Sequence, residues 1–142
     1  MNVENASRNG LCFVLPLRVE VSKKKAWALN LNNYRNAHYQ TLNKAKKVFS
    51  EMFRSHYGFS ETAIIEKCEL VYIIFPGSNR VVDLANIGSV VDKFASDCLV
   101  SFLYIRDDNR KVVKSVTYLD GGIDKDNPRV ELWLITIKDG KI

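Results

Sequence analysis

Residues 80–109, RVVDLANIGSVVDKFASDCLVSFLYIRDDN, are the stretch around which the chain is organised. At 100° per residue, Ile87, Val90, Val91, Phe94, Ala95 and Cys98 fall on one arc, and Asn86, Ser89, Asp92, Lys93, Ser96 and Asp97 on the other. The period predicts a helix from Leu84 to about Leu99, packed on one side and open on the other. Asp83 stands where an N-cap belongs, its carboxylate able to accept from the free N–H groups of the first turn. Asp107-Asp108-Asn109 follows a short apolar run and precedes a strand-like one, so it reads as a turn or a strand edge. Folding the chain back there would bring Asp108 toward Asp83, and two carboxylates from separate elements are a usual way to hold Mg²⁺. Both features also have ordinary structural roles, one as a helix cap and one as turn chemistry.

Upstream of that helix, residues 63–76, AIIEKCELVYIIFP, are dense in β-branched and aromatic side chains. Near-continuous hydrophobicity predicts a central strand buried on both faces. Thr41 to about His56 predicts a second helix, with Thr41 as N-cap and Leu42, Ala45, Phe49, Met52 and Phe53 on one face. Between Asn30 and Gln40 the sequence NLNNYRNAHYQ has no clean period and reads as an ordered loop. Leu11 to Val21 reads as a strand in which Pro16 implies an edge position or a bulge. Residues 1–10 read as a loose arm. Downstream, Lys111 to Leu119 alternates as a strand, and Val130 to Ile137 is expected to pair back as the last one, after a Gly/Asp/Pro-rich turn region. The order β-α-β-α-β-β predicts an α+β fold with a mixed sheet of about four strands and two main helices, in a single domain spanning residues 1–142.

A chain of 142 residues with 46% hydrophobic residues can bury a core without disulfides or a structural metal. Cys12, Cys68 and Cys98 are an odd number and widely separated, as expected of reduced thiols in a cytoplasmic protein. No run approaches the ~20 apolar residues of a membrane helix, and residues 1–10 lack the apolar core of an export signal. The net charge is +5. Between Ser22 and Arg54 lie Lys23, Lys24, Lys25, Arg35, Lys44, Lys46, Lys47 and Arg54 against the single acid Glu51, whereas most aspartates come from Asp83 onward. A basic first half beside later carboxylates suits a protein that holds a polyanion and a metal, although a solvated helix face gives the same pattern. His38 has the chemistry of a general base, but a single histidine beside tyrosines ordinarily packs or hydrogen-bonds. The chain has no P-loop pattern, no zinc-type Cys/His spacing and no G-x-S-x-G, so those three chemistries lack their usual signatures.

One ordered set of residues resembles a known family. Arg80, Asp83, Leu84 and Asn86 form R-x-x-D-L-x-N; Lys93, Asp97 and Leu99 form K-x-x-x-D-x-L; Asp107 and Asp108 follow ten residues after Asp97. This order resembles the RusA family of Holliday junction resolvases. The upstream NLNNYRNAHYQTLNKAKKVF is similar to the Asn/Tyr/Arg-rich segment of its phage-encoded members. The resemblance implies a Mg²⁺-dependent site, with Mn²⁺ as a substitute, that contains Asp83, Asp107 and Asp108 as ligands and Lys93 as the helix lysine. Ala85 stands where the family pattern has a second aspartate, and the helix carries four extra residues before Lys93. Two other side chains offer an oxygen in place of the missing one. Asn86 has its amide oxygen. Asp92 projects near the azimuth of Ala85, but seven residues at ~1.5 Å each set it ~10 Å further along the axis.

The expected activity is structure-selective cleavage of branched DNA, a four-way junction above all, by a homodimer in the cytoplasm, the host's if the chain is phage-encoded. Arg35, His38, Lys44, Lys46, Lys47 and Arg80 are the expected DNA contacts, which position phosphates without reading sequence. The alternatives are a branched-DNA-binding protein that does not cut and a general flap or fork nuclease.

Overall fold

In the computed structural model, which describes residues 10–138, the chain runs β1 (Gly10–Leu15), β2 (Arg18–Ser22), β3 (Lys25–Ala28), α1 (Leu31–Asn36), α2 (Tyr39–His56), β4 (Cys68–Phe75), α3 (Leu84–Ser101), β5 (Val113–Asp120) and β6 (Arg129–Thr136). Four strands form one mixed sheet in the order β1-β6-β4-β5, and β2 and β3 form a separate hairpin. The class is α+β, as the pattern predicts. β4 lies inside the sheet, antiparallel to β6 and parallel to β5, with Leu70 to Ile74 at most 1% exposed. Its apolar run is continuous because both faces are covered.

Along one face of the sheet, Phe13, Leu15, Leu70, Tyr72, Leu132 and Leu134 meet Phe49 and Phe53 of α2 and Val91, Phe94 and Cys98 of α3. Phe94 lies between two aromatic partners, stacked on Trp27 at 5.8 Å and edge-on to Phe49 at 5.5 Å. The other face carries a smaller cluster of Val71, Ile73 and Ile135 with Phe75, Leu119 and Trp133 around it. α3 closes against the sheet at Gly88, where a Cβ would stand 2.4 Å from the Tyr118 ring. Only a residue without a side chain allows that approach.

Several boundaries differ from the sequence expectations. Leu11–Val21 is two strands: Pro16, which has no N–H to give a ladder, ends β1 at the sheet edge, and the chain turns into the β2–β3 hairpin. The segment Asn30–Gln40 is not a loop. Asn30 caps α1 by accepting from the Asn33 N–H at 2.8 Å, and six residues are too few to show a period. The N-cap of α2 is His38, not Thr41, with its Nδ1 accepting from the Gln40 N–H at 3.3 Å. β4 starts at Cys68, since residues 63–67 make only the isolated Ile65–Ile105 bridge before it.

The largest difference concerns the last two strands. β6 does not pair back on β5; it inserts between β4 and β1. β5 is parallel to β4 because α3 returns the chain to the starting end of the sheet. The segment after β5 must then cross the far end of β4, held there by the Gly121 N–H on the Ile74 carbonyl and the Asp124 N–H on the Pro76 carbonyl, both 2.8 Å. Arg129 secures the entry to β6 through Asp124 at 2.7 Å and Glu131 at 2.8 Å, with its guanidinium 4.0 Å from the Phe75 ring centre. Of the expected loose arm, Gly10 belongs to β1 opposite Ile135, and residues 1–9 lie outside the described residues.

Candidate nucleic-acid interface and metal ligands

Asp83 follows the end of β4 by way of the loop 76–82 and caps α3, its Oδ1 accepting from the Ala85 N–H at 3.0 Å. It is exposed on the rim of a cavity of about 830 Å³ that Arg18, Asn30, Arg80, Asn86 and Ile87 also line. Arg80, an expected phosphate contact, therefore lies by Asp83. Arg18 joins them from β2, a neighbour that sequence reasoning missed because β2 was not separated from β1. The Asn86 amide oxygen accepts from the Leu31 N–H at 2.9 Å and so ties the start of α1 to α3. That bond gives Asn86 a joining role in the fold.

Asp107 and Asp108 lie at the other end of α3. The chain leaving the helix is held against its last turn, since the N–H groups of Tyr104 and Ile105 both donate to the Leu99 carbonyl. Asp107 closes its own turn, accepting from the Asp108 N–H at 2.7 Å and from Asn109 Nδ2 at 3.0 Å. Burial first, then the Asp107 and Asp97 carboxylates, hold the Asp108 carboxyl above the ordinary aspartate value. α3 has 18 residues, a length of ~27 Å. The expectation that a turn at 107–109 brings Asp108 to Asp83 is thus corrected for a single chain. Parallel pairing is the reason: Val113 opposite Cys68 requires the turn after α3 to lie where the strands begin, whereas Asp83 lies where β4 ends. Among the described residues, no three His, Cys, Asp or Glu side chains come together to hold a metal.

The middle of α3 departs from the helical projection as well. Asp92, expected on the open face, is half-buried, and its Oδ1 accepts from the hydroxyls of Tyr72 at 2.6 Å and Ser96 at 2.9 Å. Burial, and after it the Asp92 carboxylate, raises the Tyr72 phenol well above its ordinary pKa, so Tyr72 stays a donor. Asp92 therefore locks α3 to β4. Lys93 is exposed, with its Nζ 5.6 Å from the centre of the Tyr34 ring, and Lys46 Nζ lies 6.0 Å from the same centre. Tyr34 gathers cations from α2 and α3, a convergence hidden in a segment without a period. Arg35, His38, Lys44 and Lys47 are exposed along α1 and α2. The expected DNA contacts thus divide between the α1–α2 segment, which Lys93 of α3 approaches at Tyr34, and the cavity rim at Arg80.

The three cysteines are free; burial pushes the Cys68 thiol up to about 11 and the Cys98 thiol to about 12. No helix of the described residues is long and apolar enough to cross a membrane. No family model matches the chain, and no curated protein matches it.

Proposed function

We propose that this chain is a structure-selective endodeoxyribonuclease that cuts four-way junctions with Mg²⁺, works as a homodimer in the cytoplasm, and forms each site from two protomers. The observation that carries the reading is the position of the ordered set R-x-x-D-L-x-N and D-D at the two ends of one helix, beside a basic surface. The donor chemistry of Asp83, Asp107 and Asp108 suits a hard cation, but one chain does not bring these carboxylates together. A two-fold pair with antiparallel α3 helices would set Asp83 of each protomer against the partner's Asp107 and Asp108. Lys44, Lys46, Lys47 and Lys93 would hold phosphates alongside, and Arg80 would hold the backbone next to Asp83. The raised Asp108 carboxyl takes a proton more readily than an ordinary aspartate, so acidification would weaken its hold on a cation first.

A second reading, binding of branched DNA without cleavage, is favoured by Ala85 in place of the family's second aspartate. A labelled junction, a flap and a plain duplex, each with Mg²⁺, Mn²⁺ or EDTA, separate the possibilities. Metal-dependent, paired cuts in the junction support the proposal; equal cutting of flaps leaves a general flap or fork nuclease; binding that is unchanged by EDTA, without cuts, leaves the binding protein. Mixing Asp83→Asn and Asp108→Asn proteins tests the two-protomer site. Each alone should be inactive, and the mixture should recover cleavage because the mixed dimer retains one intact site. A mixture as inactive as its components would refute the shared arrangement.

A further inference from the structure

We infer that the His38–Tyr39 ring pair at the corner between α1 and α2 is a stacking platform for an unpaired nucleobase. The inference rests on the proposed nucleic-acid role of the basic surface and adds to it a feature that charge does not supply. Tyr39 is 66% exposed, although a tyrosine ring ordinarily contributes its large area to a core or an interface. It is not loose. His38 lies against it with ring centres 4.7 Å apart at 31°, and the Tyr39 hydroxyl receives a long hydrogen bond of 3.5 Å from Gln40 Nε2. His38 is in turn fixed by its capping bond to the Gln40 N–H. A ring held in place by its neighbours loses little freedom when a ligand plane is laid on it.

The surroundings specify what that plane belongs to. Residues 21–50 contain seven lysines and arginines and no acid. Arg35 is exposed on the helix before the platform, and Lys44 and Lys47 are exposed on the helix after it. Exposed cations on the two flanking helices, together with a presented aromatic face, match a phosphate chain whose bases can stack, and such stacking accepts any base because every base has a π face. A duplex keeps those faces in its own stack. The ligand is therefore a nucleic-acid strand with at least one unpaired base, as in a single strand, a gap or an open branch point.

The test compares the whole protein with its Tyr39→Ala and Tyr39→Phe variants, using a single-stranded oligonucleotide that contains 2-aminopurine and a duplex of matched length. Parent and Tyr39→Phe proteins should quench the 2-aminopurine fluorescence on binding. Tyr39→Ala should lose the quenching and bind the single strand at least ~fivefold more weakly, with duplex affinity and thermal unfolding unchanged. Parent-like quenching and affinity in Tyr39→Ala, with duplex binding intact, would overturn the platform and leave the nucleic-acid reading standing. An equal loss on both substrates would also overturn it, since Tyr39 would then serve binding in general. Absence of binding to any nucleic acid by the parent protein would overturn both.

Discussion

Asp92→Ala should destabilise the fold, although Asp92 belongs by sequence to the open face of α3. Tyr72 is fully buried in β4, and its hydroxyl donates to Asp92 Oδ1 at 2.6 Å. Removing the carboxylate strands that donor. A hydrogen bond to a charged group contributes about 1.5–3 kcal/mol, and an orphaned buried donor costs about 1–3 kcal/mol; the two describe one loss from different ends, so we expect about 2–3 kcal/mol. Ser96 adds little, because its hydroxyl can turn to a carbonyl of the preceding helical turn, as Ser89 already does with Ala85 at 2.6 Å. With a urea slope of about 2 kcal/mol per molar, the midpoint should fall by ~1 M. Urea titration followed by the fluorescence of Trp27 and Trp133 measures this. Tyr72→Phe removes the buried donor itself and leaves only a half-exposed carboxylate that is still bonded to Ser96, so it should cost only about 1 kcal/mol. The double variant should then cost less than the two single changes combined, with a coupling of about 1–2 kcal/mol. An Asp92→Ala protein within about 0.5 kcal/mol of the parent, or additive single changes, would refute the locking role.

Asn86→Ala should leave the Leu31 N–H without its acceptor and cost about 1 kcal/mol; faster hydrogen exchange at Leu31 checks it, with Asn86→Asp retaining most of the protection. For Asp108 the folded carboxyl is raised, so its contribution to stability is present below the ordinary aspartate pKa and is lost as pH rises through the folded value. Asp108→Asn should therefore raise the melting temperature at neutral pH, with a gain that shrinks toward the acid range; a gain independent of pH would show that the charge is not its source. Replacing Lys44, Lys46 and Lys47 together by Ala should weaken DNA binding and reduce the log–log salt slope by ~0.9 for each phosphate that is no longer neutralised. An unchanged slope in a filter-binding series would place that face of α2 away from DNA.

Patterns between near neighbours along the chain determined the local elements. The 3.6 period from Leu84 to about Leu99 and from Thr41 to about His56 defined both main helices, each within two residues of the observed bounds, because their apolar faces recur within a few residues. The apolar density of Cys68–Phe75 marked the inner strand, and Asp83 declared itself a cap by type and position. α1 stayed hidden because one short turn is held by Asn30 and by the distant Asn86, and neither bond leaves a period. Asp92 was misread for a related reason: projection gives an azimuth on the helix, not what stands opposite, and Tyr72 lies 20 residues away. The choice between a closing β5–β6 hairpin and insertion of β6 beside β4 was likewise tertiary, since either edge accepts the same alternating strand. That choice set the two ends of α3 apart. Residue types and spacing assembled the candidate ligands into one list; the parallel return through α3 decided that a single chain does not assemble them into one site, because a crossover helix must span the length of the strands it connects.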